Sequence, residues 1–275
     1  MSRGAGRLAT SVLVAAALVA ALVAVVGAAA IYDSEAATRR TAHTQEAAPA
    51  THRVVALGDS VPSGAACPCS SFPSLYGALL GQRTGGPVKV DNYAASGLDT
   101  AGLLAQFHQA RIVESVRRAD IFLVTIGAND FEDHHDQVVD GACPTGVADC
   151  VSDEMESMRA DLAKILANIR ALRQGRPTTV LVTGYWNVFE DGDVAQQTSG
   201  ASGLKASIRL TLRVNAAISA VASTAGANYV DLFEPFQSHG RDIGSLLATD
   251  GDHPDAAGHQ LIARTLLATG LPRIS

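Results

Sequence analysis

From residue 53 onward, the apolar positions of this chain switch repeatedly between two periods. Short runs rich in β-branched residues over 53–57, 88–93, 121–126, 178–183 and 228–232 have the length and bounding turn residues of strands. Between them, apolar residues recur at helical spacing near 73–80, 101–116, 153–172, 204–225 and 256–267. Continuous apolar strands are buried on both faces, and the helices between them supply the crossovers that parallel pairing needs. The order predicts one α/β domain with a parallel sheet covered by helices on both sides. No internal repeat is visible.

The start of the chain follows neither period. Residues 8–31, LATSVLVAAALVAALVAVVGAAAI, are almost wholly apolar and follow Arg3 and Arg7. This is the pattern of a secretory signal or a membrane anchor, long enough to span a bilayer, with a small-residue cleavage site at Ala28-Ala29-Ala30. Cleavage near Ala30 is the expected outcome, giving a secreted or cell-surface protein. Uncleaved, residues 1–31 would be its link to a membrane. Residues 32–51 are Ala- and Thr-rich with no sustained apolar face, and read as a flexible linker. The folded domain is expected over 52–275, about 225 residues, enough for one substantial core.

Charge narrows the partners. The chain has 21 Lys and Arg against 27 Asp and Glu. Without Arg3 and Arg7 the balance is 19 against 27, a formal charge of -8. Such a surface argues against nucleic acid. Four cysteines in an exported chain point to disulfides before a metal site. Cys143 and Cys150 lie in GACPTGVADC, a loop suited to a local bridge, which leaves Cys67 and Cys69, separated by Pro68, as a small ring or as free thiols.

Three distant stretches carry the chemistry: LGDSVPSG at 57–64, IGAND at 126–130 and DGDHPDAAGH at 250–259. A serine hydroxyl becomes a nucleophile when a base takes its proton, the base needs a group to hold its tautomer, and the oxyanion needs fixed donors. Ser60, His253, Asp250 and Asn129 are of the types those roles require. Ser60 follows the first expected strand and Asn129 the third, with Asp250 and His253 before the last helix and Pro254 expected in that helix's first turn. In an open parallel sheet these positions share one rim, at the carboxyl ends of the strands.

Four blocks in order, Gly58-Asp59-Ser60, DNYAASG ending at Gly97, Gly127-Ala128-Asn129-Asp130 and Asp250-Gly251-Asp252-His253, resemble those of the SGNH hydrolases, or GDSL esterase/lipase family, of the exported bacterial type. The resemblance spans residues 53–268, with Val61 where the family's name has Leu. It implies a three-layer α/β sandwich around a mostly parallel five-stranded sheet, the flavodoxin-like SGNH fold. It further implies Ser60, Asp250 and His253 as the catalytic set, and the backbone N–H groups of Ser60 and Gly97 with the Asn129 amide as oxyanion donors. The activity implied is hydrolysis of carboxylic esters, either small molecules or lipids, through an acyl-enzyme. No cofactor or metal is called for, and a monomer suffices. A carbohydrate acetylesterase and a catalytically idle surface binding protein of the same fold are the alternatives.

Competing templates are absent from the sequence. The nucleophile elbow G-x-S-x-G is broken at Pro62, and there is no H-E-x-x-H, Walker A or G-x-G-x-x-G. The cluster FEDHHD at 131–136 holds four possible metal ligands, but adjacent histidines rarely face one site, and a solvated loop is the expected reading. In GYWNVFEDGD at 184–193, Trp186 and Asn187, with Phe189, are candidates for the substrate pocket because they follow the fourth expected strand on the same rim, and packing of Trp186 against a loop is the equal alternative.

Overall fold

The structure, a computed structural model, describes residues 52–143, 149–237 and 242–269. The expected signal or anchor at 1–31 and the linker at 32–51 lie outside the described residues. Among the described residues, no helix is long and apolar enough to cross a membrane.

Five strands form one sheet: β1 (His52–Gly58), β2 (Val88–Asn92), β3 (Ile121–Thr125), β4 (Thr179–Thr183) and β5 (Asn228–Val230). Every pairing is parallel and the spatial order is β2-β1-β3-β4-β5. Val54 to Leu57 on β1 and all of β3 are buried, as central strands covered on both faces must be. The edge strand β2 is only partly covered, and its Lys89 and Asp91 pair at the surface.

Ten helices surround the sheet in the described residues. They are α1 (Ser60–Ser63), α2 (Phe72–Thr84), α3 (Thr100–Gln106), α4 (Ala110–Arg118), α5 (His135–Val139), α6 (Ser152–Arg173), α7 (Gly192–Thr198), α8 (Gly200–Thr224), α9 (Phe233–Gln237) and α10 (Ala256–Ala268). On one side α2 packs against α10; on the other, α6 packs against α3, α4 and α8. The result is the three-layer α/β arrangement expected, with every strand of its sheet parallel.

Two local expectations are corrected. The helix expected over 101–116 is two helices, because the chain tightens at Phe107 to Gln109, whose N–H groups bond to carbonyls three residues back, and Gln109 is extended. Pro254 lies outside the last helix, bridging antiparallel to Leu247. Asp255 caps α10 instead, accepting the N–H groups of Ala257 and Gly258 at 2.8 and 2.9 Å.

Both cysteine pairs are bridged, Cys143 to Cys150 as expected and Cys67 to Cys69 as the small ring. The first ties the segment after α5 to the approach of α6.

Candidate active site

The strand order reverses at β1: the chain leaves it first to β2 on one side and then to β3 on the other. A crevice opens at such a switch point, beyond the carboxyl ends of the strands. Ser60 follows β1 and Asn129 follows β3 at this place.

The turn that carries Ser60 is fixed from several directions. Gly58 has φ +144°, and a Cβ there would stand 1.9 Å from the Thr125 carbonyl oxygen, so the close approach of β1 to β3 requires glycine. The Asp59 N–H donates to that same carbonyl at 3.1 Å. Asp59 Oδ1 accepts the Val61 N–H at 3.0 Å and caps α1, whose first residue is Ser60. Its Oδ2 accepts the Tyr185 hydroxyl. Tyr185 is itself clamped, its N–H donating to Asn215 Oδ1 at 2.9 Å and its carbonyl accepting from Asn215 Nδ2 at 2.8 Å. Asp59 is buried, and desolvation pushes its carboxyl up to about 7 against the opposing pull of Tyr185 and Val61.

Asn129 and Asp130 staple the loop after β3 to the loop after β2. Asn129 Nδ2 donates to the Leu98 carbonyl at 2.9 Å. Asp130 accepts the Thr100 N–H at 3.1 Å and the Thr100 hydroxyl. Gly97, at φ +72°, thereby lies in the loop that Asn129 grips, and open space surrounds the position of a Cβ there. An amide has two N–H groups, and Leu98 takes one of those on Asn129.

His253 and Asp250 meet directly. His253 Nδ1 lies 2.9 Å from Asp250 Oδ2, while Asp250 Oδ1 accepts the N–H groups of Asp252 and His253 at 3.0 Å each. Burial raises the Asp250 carboxyl, but these two backbone bonds and the imidazole outweigh it and hold it below its ordinary value. With Nδ1 facing a carboxylate, the imidazole carries its proton there and leaves the Nε2 lone pair open. Asp252 Oδ2 stands 3.6 Å from the same Nδ1. Burial, with the Asp250, Glu190 and Glu132 charges, lifts Asp252 to about 6 against the pull of His253.

A cleft of about 480 Å³ is lined by Ala128, Asn129, Glu132, His135, Val188, Phe189, Glu190, Asp250, Asp252 and His253. Ser60 lies beside this lining and is not part of it, on a turn close enough that the Asp252 and His253 charges act on its neighbour Asp59. Ser60 Oγ makes no hydrogen bond to His253 among the described residues; such contacts are often long before a substrate draws the groups together.

Of the expected pocket residues, Phe189 lines the cleft and the other two do not. Trp186 is buried and stacks on Phe236 with ring centroids 4.3 Å apart, so it belongs to the core. Asn187 is buried too. Its Oδ1 accepts from Phe189 N–H, Thr211 and Ser207, and its Nδ2 donates to Asp191 at 3.3 Å. Val188, Phe189 and Glu190, the next residues along, face the cleft instead. In the 131–136 cluster the two histidines diverge. His134 Nε2 pairs with Glu154 at 2.9 Å, whereas the His135 ring meets the Phe189 ring edge-on at 4.7 Å.

Sequence reasoning missed Asp59 and Asp130 as structural ties. The only signal for either was its place inside a motif, since the partners Tyr185 and Thr100 are distant in sequence.

The GDSL-like lipase/acylhydrolase family model matches residues 56–261, the span that holds all four blocks. The chain belongs to that family. It is therefore a carboxylic ester hydrolase. Among curated proteins, none matches it. Among solved structures, this GDSL hydrolase is similar to a lipase from a goat rumen metagenome, at 20% identity and TM-score 0.64, covering 82% of this chain and 100% of that one. It is also similar to an extracellular lipase from Streptomyces rimosus, at 23% identity and TM-score 0.58, covering 80% and 100%. A catalytic mutant of an acetylxylan esterase from Geobacillus stearothermophilus aligns at 16% identity and TM-score 0.55, covering 79% and 93%. At these identities the likeness carries the fold.

Proposed function

We propose that this GDSL hydrolase is an exported carboxylesterase or lipase that works through a Ser60–His253–Asp250 relay and an acyl-enzyme. The observation that carries the reading is the 2.9 Å contact between Asp250 and His253 Nδ1, because it fixes the imidazole with Nε2 available as a base. His253 takes the Ser60 proton as Oγ attacks the ester carbonyl, and gives it to the departing alcohol. A water activated by the same imidazole then releases the acid. The oxyanion is met by the free N–H of the Asn129 amide and the backbone N–H groups of Ser60 and Gly97. A catalytically idle binding protein would have no use for an imidazole held in this way. Export is supported by the apolar segment at 8–31 and by the two disulfides.

The test is Ser60→Ala, assayed on neutral acyl esters of graded chain length. The variant should melt as the wild type does and lose about 10⁴-fold or more in kcat. Near-normal turnover by the purified variant would end the serine-hydrolase reading.

A further inference from the structure

Four carboxylates, Glu132, Glu190, Asp250 and Asp252, line the cleft that holds His253, and no lysine or arginine joins them. Asp250 is spent on the imidazole and Asp252 stands beside it. Glu132 and Glu190 have no catalytic partner. Glu190 accepts a hydrogen bond from Thr198 at 2.8 Å, and among the described residues neither glutamate is paired with a lysine or arginine. Both are near enough for their charge to act on Asp252. Phe189 and Val188 supply an apolar surface in the same cleft, with the Phe189 ring fixed by the edge of His135.

The position of this wall decides which half of an ester meets it. Ser60 attacks the carbonyl from beside the lining, Asn129 on the cleft wall takes the carbonyl oxygen, and the leaving oxygen must face His253 Nε2, beside Asp250 and Asp252, to receive its proton. The alcohol half is therefore the one on the His253 side of the cleft, where the carboxylates stand. An unpaired negative wall attracts a cation and repels an anion.

We propose that this cleft selects its ester by charge: Glu132 and Glu190 favour a cationic alcohol half, such as an alkylammonium, and turn away esters whose alcohol half is anionic. The inference rests on the ester-hydrolase reading above. It does not depend on the acyl chain length.

The experiment compares three acetates of similar size: acetylcholine, its uncharged carbon isostere, and the acetate of a hydroxyalkyl sulfonate. Each rate is normalised to its hydroxide-catalysed hydrolysis. At low ionic strength, kcat/KM for the cationic ester should exceed that for the anionic one by roughly tenfold or more, mostly through KM, from two partly solvated charges. The ratio should shrink towards one as salt approaches about 1 M, where the screening length is about 3 Å. The double variant Glu132→Gln, Glu190→Gln should lower the same ratio at low salt. Equal kcat/KM for all three esters, or a preference that survives both salt and the double variant, would overturn the charge selection and leave the hydrolase reading standing. Hydrolysis of none of the three, with none of neutral aryl esters either, would bring down the hydrolase reading itself.

Discussion

Replacing Asp59 by asparagine tests how the nucleophile's turn is held. The amide oxygen of asparagine can still accept the Val61 N–H, and the side chain fills nearly the same volume beside Tyr185. The ability to ionise is lost, and the oxygen that accepts the Tyr185 hydroxyl becomes an N–H donor, which adds an offset that does not vary with pH. In the wild type, burial lifts the Asp59 carboxyl from 3.8 to about 7, a rise of roughly three units. At 1.36 kcal/mol per unit this is about 4 kcal/mol of linkage. A raised carboxyl gives stability that is fully present below pH 3.8 and is lost as the pH rises to about 7, because over that window the folded state binds the extra proton. The Asp59→Asn protein should therefore gain up to about 4 kcal/mol relative to the wild type between pH 4 and pH 8. Asp252, raised to about 6, slopes the same way, and His259, lowered to about 4 by burial, slopes the opposite way. Both titrate in either protein, so most of their slope cancels in the difference between the two curves. Urea unfolding across pH 4 to 8 measures it. Curves that stay parallel throughout would refute a buried, proton-holding Asp59.

Further outcomes follow from the same geometry. Asn129→Ala should lower kcat by about 10² to 10³, roughly 3 to 4 kcal/mol of transition-state stabilisation, with little change in KM. A rise in KM alone would make Asn129 a substrate-positioning residue. Gly58→Ala should destabilise the domain by roughly 2 to 5 kcal/mol, since a Cβ 1.9 Å from the Thr125 carbonyl pries β1 from β3; an unchanged melting temperature would contradict the packing. Trp186→Ala should cost about 3 to 5 kcal/mol in denaturant unfolding and leave KM unchanged, while Phe189→Ala, which removes a buried ring that also lines the cleft, raises KM for esters with bulky alcohols. The opposite assignment of the two effects would restore Trp186 to the pocket.

Much of the domain could be read directly from the residues. The five strands fall within a residue or two of their expected runs, and for the central β1, β3 and β4 the reason is that a strand buried on both faces needs a continuous apolar segment. The contact between Asp250 and His253 lies within a single loop, so the one block that carries the family resemblance there already holds both partners. Cys143 and Cys150 were likewise a local matter.

The tertiary structure decided what the sheet order and the burial decide. That β1 is flanked by both β2 and β3 brings the Ser60 turn, the Gly97 loop and Asn129 to one switch point, and pairing order is not a property of any one strand. Tyr185 reaches Asp59 across 126 residues, and Thr100 reaches Asp130 across 30. No local pattern encodes such a pair. Within GYWNVFEDGD, residue type alone left Trp186 open between the pocket and packing against a loop, since a large ring suits either. The stack on Phe236 turned it inward and set Phe189 and Glu190 towards the cleft. Sequence thus determined which groups were present for ester chemistry. Only packing determined which of them share a cavity, because side-chain direction at the end of a strand is set by the neighbours that cover it.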